Sequence, residues 1–126
     1  MPLKIALISQ EYPPESAKGG IGSQTYLKAH CLTAMGHDVR VISRSSGLDR
    51  SQRFDNGVRI IRIPSTPMAV YTELADWLNY SQRVAEEISK QHSIEPFDLL
   101  DFPEWSCEGI IYLLRVMFSA RQNVSN

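Results

Sequence analysis

Three short stretches carry residue types suited to chemistry. The first is Gly19-Gly20-Ile21-Gly22, which runs from a loop into a predicted helix. A helix N-terminus presents unpaired backbone N–H groups and the positive end of the helix dipole, so it favours an anion or a hydroxylated ligand. Glycine lets such a ligand reach the backbone without a Cβ in the way. The same residues also suit a loop that only needs left-handed conformations. Spacing excludes two familiar phosphate loops. A dinucleotide fingerprint needs a third glycine where Thr25 stands, and the loop from Ser9 to Gly20 is longer than its tight turn. A Walker-type loop needs Gly-Lys-Ser/Thr, which is absent.

The second stretch runs from Asp101 through Phe102, Pro103, Glu104, Trp105, Ser106 and Cys107 to Glu108-Gly109. It follows a predicted strand, at the carboxyl end where open α/β sheets bind ligands. Asp101, Glu104 and Glu108 are acceptors for sugar hydroxyls, and Trp105 offers a flat apolar face. Glu104 and Glu108 equally suit a helix N-terminus through the dipole, with Trp105 in a core. Glu11-Tyr12, beside the glycines, is the third. His30 falls mid-helix and His37 just past a helix end, where a cation is favoured anyway, so neither is expected to be catalytic. Cys31 and Cys107 lack metal-ligand spacing and sit among apolar neighbours, which predicts two small buried side chains. No metal, cofactor or catalytic residue is assigned.

The elements that position these stretches alternate. Leu3 to Ser9 is an almost continuous apolar run, as in a parallel strand covered on both faces. Pro13-Pro14 lies beyond its end. A helix is expected from about Gly22 to Met35, with Ser23 as N-cap, Gly36 as C′ glycine, and Leu27, Cys31, Ala34 and Met35 on its buried face. Val39 to Ser43 reads as a second strand. Ser45 to Asn56 reads as polar and irregular, with a tight-turn signal at Asp55-Asn56-Gly57. Val58 to Ile63 is a third strand, closed by Pro64 and Pro67. A long helix from about Val70 to His92 aligns Leu74, Trp77, Leu78, Ser81, Val84, Ala85 and Ile88. Phe97 to Phe102 is a fourth strand, Cys107 to Phe118 a last helix, and Ser119 to Asn126 a polar tail. The expected fold class is α/β, a Rossmann-like open parallel sheet flanked by helices, in one domain over residues 1–126.

Charge and composition narrow the partners. Of 126 residues 43% are hydrophobic and 21% charged, and the net charge of -1 gives no case for nucleic acid. Arg40, Arg44, Arg50, Arg53, Arg59 and Arg62 crowd one segment, which reads first as solvated surface and second as a phosphate or membrane contact. The longest apolar run, Gly109 to Phe118, is broken by Arg115 and is too short to span a bilayer. With no leader at Met1 to Lys4, a cytoplasmic chain in a reducing compartment is expected.

Glu11-Tyr12-Pro13-Pro14, Gly19-Gly20-Ile21-Gly22 and the segment from Ala34-Met35-Gly36-His37-Asp38 to Ile42 together resemble the N-terminal domain of family 4 retaining glycosyltransferases. Asp101-Phe102-Pro103-Glu104-Trp105 with Glu108-Gly109 is similar to that family's acceptor-side loop. The resemblance implies a GT-B architecture, two Rossmann-like domains facing across a cleft, of which this chain is an apparently truncated N-terminal half. It places Gly19, Gly20 and Gly22 at the donor phosphates. Glu11, Tyr12, Glu104, Trp105 and Glu108 fall beside the acceptor. The implied partners are a sugar nucleotide and a hydroxyl acceptor. The donor-binding C-terminal domain, and a histidine-bearing strand of the N-terminal one, have no counterpart in the 126 residues, so no turnover is expected from this chain alone. A different class of function stays open: a non-catalytic binding or pairing module that complements a separate C-terminal half. A sheet that stops early would also leave an edge and an apolar last helix exposed, which predicts self-association. A nicotinamide-dependent oxidoreductase is disfavoured by the fingerprint spacing.

Overall fold

A computed structural model describes residues 1–14, 19–64, 73–103 and 108–124, the side chains of 121–124 excepted. The order is β1 (Lys4–Ile8), α1 (Gly20–Ala34), β2 (Asp38–Arg44), β3 (Ser51–Asp55), β4 (Val58–Ile63), α2 (Glu73–Ile94), β5 (Leu99–Asp101) and α3 (Ile110–Val124). The strands form one sheet in the order β3-β4-β2-β1-β5. Pairings among β4, β2, β1 and β5 are parallel, and only β3 is antiparallel, on β4. The expected Rossmann-like α/β class therefore holds, with an antiparallel edge strand added.

The two apolar faces of the central strands account for the layering. Ile5, Leu7, Val39, Val41, Val58 and Ile60 pack with Ala29 of α1 and Tyr12. Ala6, Ile8, Ile42, Ile61 and Ile63 pack with Tyr80, Val84 and Ile88 of α2 and with Phe97. Strands buried on both faces read as continuous apolar runs, which is why β1, β2 and β4 were legible.

Several expectations need correction. The segment expected to be irregular contains β3, joined to β4 by Asn56 (φ 47°) and Gly57 (φ 91°). Two successive positive φ angles at Asn-Gly make the two-residue turn that favours a hairpin. On α1, Leu27, Cys31, Ala34 and Met35 face solvent. The buried residues are Gly22 and Ala29, with Tyr26 and Leu32 packed alongside. Small residues let this helix approach the sheet closely, so bulk pointed to the wrong side. The N-cap is Gly19, one turn before Ser23, and no side chain caps the helix. Gly36 ends it at φ 95°, as expected of a C′ glycine.

On α2, Ser81, Val84, Ala85 and Ile88 are buried as the stripe requires, together with Tyr80, Glu87 and Gln91, whereas Leu74 and Leu78 are exposed. Strand β5 is shorter than expected, and α3 runs through the segment expected to be a polar tail. The expected helix start at Val70, Pro67, and the burial of Cys107 lie outside the described residues. The arginine segment is solvated only in part: Arg40 and Arg62 are 5% and 6% exposed, Arg44, Arg53 and Arg59 are half-buried, and Arg50 is exposed.

Candidate functional site

The chain moves outward from β1 through β2 to β4, then returns to place β5 on the other side of β1. Helix α1 covers one face and α2 the other, so the carboxyl ends of β1 and β5 flank a topological switch point, where open α/β sheets hold their ligands. A cleft of about 330 Å³ opens there, lined by Ile8, Ile21, Gln24, Thr25, Asp101 and Phe102, among others. Lys28 Nζ, from the third turn of α1, donates to Asp101 Oδ2 at 2.6 Å across it. Both side chains are about 40% exposed, so this pair contributes at most about 1 kcal/mol and yields readily to a ligand.

The segment Gln10–Pro13 leaves the end of β1 and is fastened carbonyl by carbonyl. Ser43 Oγ donates to the Gln10 carbonyl at 3.1 Å, and Ser9 Oγ to that of Glu11 at 2.8 Å. Arg62 Nη2 donates to the Tyr12 carbonyl at 2.9 Å and Arg53 Nη2 to that of Pro13 at 3.3 Å. The Gln10 amide donates to Glu108 Oε1 at 3.1 Å, which ties in the start of α3. The Pro13-Pro14 peptide bond is cis. Glu11 is therefore held on a fixed backbone beside the N-terminus of α1.

Its carboxylate lies against Gly19: a Cβ placed there would come within 3.4 Å of Oε2. That oxygen is buried and accepts no hydrogen bond from the described residues. A Cβ on Gly20 would meet nothing within 4 Å, so the first turn of α1 is open on that side. No acidic residue lies in that turn, and its N–H groups have no side-chain cap. Gly22 is buried against the sheet side of the helix. The structure thus brings Glu11 to Gly19 at the start of α1, the helix whose Ile21, Gln24, Thr25 and Lys28 line the cleft.

Tyr12 and Glu108 are both inside the protein. Tyr12 has no exposed surface, and its hydroxyl donates to Asp55 Oδ2 at 3.4 Å and lies 3.3 Å from His30 Nε2. Burial, then the Asp55 charge and hydrogen bond, push its phenol well above the ordinary tyrosine range. His30 Nε2 is 3.1 Å from Asp55 Oδ2 and its ring lies 4.3 Å from Tyr26, so His30 joins α1 to the end of β3. Glu108 is 2% exposed. Glu104 and Trp105 lie outside the described residues. Sequence reasoning missed the Lys28–Asp101 pair, the His30–Asp55 contact and the clamp from Arg62. Each joins residues far apart in the chain and leaves no local spacing signal.

Among the described residues, no group of three or more His, Cys, Asp or Glu is placed to hold a metal ion. No helix among them is long and apolar enough to cross a membrane.

No family model matches the sequence. The chain is 38% identical over 71 residues to glycogen synthase of Mycobacterium tuberculosis, in the CDC 1551 / Oshkosh and ATCC 25618 / H37Rv strains alike. That match covers 52% of this chain and 17% of the synthase. In structure the chain is similar to sucrose-phosphate synthase from Thermosynechococcus elongatus, with a TM-score of 0.67 and 21% identity over 90% of this chain. The similar region is 30% of that protein, so the chain spans less than a third of either relative's length. The likeness establishes the fold, a Rossmann-like half of a GT-B architecture.

Proposed function

We propose that these residues are the acceptor-side portion of a glycosyltransferase that moves a hexosyl group from a sugar nucleotide to a hydroxyl acceptor. The observation that carries this reading is Glu11, whose buried Oε2 lies against Gly19 at the start of α1 and lacks a donor among the described residues. A buried carboxylate oxygen left unpaired costs about 1–3 kcal/mol, which a ligand hydroxyl recovers by donating to it. Beside it, the open side of Gly20 exposes uncapped amides suited to the departing diphosphate. Glu11 accepts a sugar hydroxyl while the amides of Gly19, Gly20 and Gly22 meet phosphate oxygens. Glu104 and Trp105 complete the acceptor side, and the buried Tyr12 and Glu108 hold the Gln10–Pro13 backbone behind it. Similarity to two proteins named as synthases of a polysaccharide and a sugar phosphate supports the sugar class.

Stabilising the diphosphate leaving group takes cations and donors on its far side. Those groups come from outside these residues, so the chain binds without turning over, and its family is the retaining, family 4 kind. The test is a nuclear magnetic resonance titration of the chain with maltooligosaccharide and with a nucleoside-diphosphate glucose, alongside a radiolabelled transfer assay. Saturable shifts at Gly19–Gly22 that Glu11→Gln weakens, with no transfer, are expected. Absence of both responses refutes the sugar reading, and multiple turnovers refute the need for a second domain.

A second reading, a pairing module that complements a separate C-terminal half, is favoured by α3. Its Ile110, Leu113, Leu114, Val116, Met117 and Phe118 are 38–60% exposed beside the open β5 edge. Contiguous apolar surface of this kind marks an interaction face. Light scattering of the chain in solution should show self-association, and a clean monomer with a cooperative melt removes the support.

A further inference from the structure

The arginine segment converges on a second cleft, of about 210 Å³, between the β3-β4-β2 edge and the last turns of α2. It lies near the amino ends of the parallel strands, away from the switch point. Arg40, Arg50, Arg59 and Lys90 line it with the carboxylates Glu87 and Glu95; Asp38 also pairs with Arg40 and Lys4 with Glu95, which leaves two positive charges over. The carboxylates are already engaged. Arg40 Nη2 donates to Glu95 at 2.7 Å and Nη1 to Gln91 at 3.0 Å. Arg50 donates to both oxygens of Glu87, at 2.6 and 3.2 Å.

Arg59 and Lys90 form no ion pair with a described carboxylate. Arg59 sits directly beside Arg40 in the parallel register of β2 and β4, and its guanidinium lies over the Phe54 ring at 5.3 Å. Glu95 and Asp38 counter Arg40, at 2.7 and 3.8 Å, but Arg59 beside it has no such partner among the described residues, and like charges side by side on one sheet face repel. The Nε groups of both arginines are buried and have no acceptor among the described residues. Carbonyls at the end of α2 favour a nearby cation and help to explain Arg40, but they supply no partner for Arg59.

We propose that this cleft binds a small phosphate-monoester or inorganic phosphate dianion, held by Arg59 and Lys90 with Arg40 behind them. Arginine guanidinium forks suit phosphate oxygens. At about 210 Å³ the cleft suits a small anion better than a whole nucleotide. This site stands independently of the sugar-transfer proposal. Its occupant is a soluble anion rather than a lipid headgroup.

The probe is inorganic phosphate, titrated into the isotopically labelled chain at constant ionic strength, with chloride as the control. Saturable shifts are expected at the Arg59 and Arg40 Nε–H signals and at the amides of Gln52 and Lys90. Arg59→Gln and Lys90→Gln should each weaken binding about ten-fold, the loss of one charge-assisted hydrogen bond, with the remaining spectrum unchanged. Equal shifts with chloride, or unchanged affinity in both variants, overturn the site. Sedimentation with phosphatidylcholine vesicles containing phosphatidic acid separates the sources. Capture by those vesicles without a response to inorganic phosphate overturns the soluble anion.

Discussion

Arg62 holds the Tyr12 carbonyl next to Glu11, and replacing it tests how the site is built. Its Nη2 donates to the buried Tyr12 carbonyl at 2.9 Å, and its Nη1 lies 3.3 Å from both Ser43 Oγ and the Arg44 carbonyl. Arg62→Met keeps the apolar stem and removes these donors. A hydrogen bond from a charged group contributes about 1.5–3 kcal/mol, and the two at 3.3 Å lie at the weak end. Removing a buried charge also returns part of its desolvation cost, which holds the net loss near ~3 kcal/mol. With a urea slope of about 2 kcal/mol/M, the unfolding midpoint should fall by roughly 1.5 M. Ser43→Ala alone should cost about 1 kcal/mol, since its hydroxyl serves the Gln10 carbonyl and Arg62 together. Because both residues belong to one network, the double variant should fall short of additivity by at least about 0.5 kcal/mol. Amide exchange at Gln10–Tyr12 should accelerate in Arg62→Met more than in the sheet. A midpoint within about 0.3 M of the parent, or full additivity, refutes the clamp.

Further substitutions probe the interior and the ion pairs. A Cβ on Gly109 would stand 2.3, 2.5 and 2.9 Å from three ring atoms of Phe102, so Gly109→Ala should destabilise by about 2 kcal/mol in urea melts. Phe102→Leu in the same chain should restore part of that loss. The Tyr80 hydroxyl is buried without a hydrogen-bond partner, and burial followed by the Glu108 charge raises its pKa. Tyr80→Phe should therefore be neutral or stabilising by up to about 1 kcal/mol, and a clear destabilisation on thermal melting counts against it. Burial of Glu87 acts to raise its pKa, but hydrogen bonds from Arg50 and Gln91, with the charges of Arg50 and Lys90, outweigh it and hold the carboxyl below its ordinary 4.5. A carboxyl depressed on folding stabilises the protein above pH 4.5, and the contribution fades as pH falls through the folded value. The stability advantage over Glu87→Gln should be constant at neutral pH and shrink below pH 4.5; a gap that widens on acidification contradicts the assignment.

The sequence determined the features that depend on neighbours. Apolar runs marked the double-covered strands, Gly36 marked the end of α1, and the glycine stretch marked a helix start at the carboxyl end of β1. The Asn56-Gly57 pair also contained the hairpin, although the polar character of Ser51–Asp55 concealed the strand before it. That strand is an edge strand whose side chains remain largely exposed, so burial left no mark on its composition.

Tertiary structure decided the phase of α1 and the fate of the charges. Periodicity supplies a spacing of 3.6 residues but not the direction of the buried face, and on α1 that face carries Gly22 and Ala29, with Tyr26 and Leu32 packed alongside. The arginines were read as solvated because each, taken singly, prefers water. Arg62 is buried because the Tyr12 carbonyl, 50 residues earlier, needs a donor, and Arg40 because Gln91 and Glu95 reach it from α2. Such pairings cost nothing locally and leave no trace in spacing. They exist only once the sheet order β4-β2-β1-β5 brings distant segments to the same end of the fold.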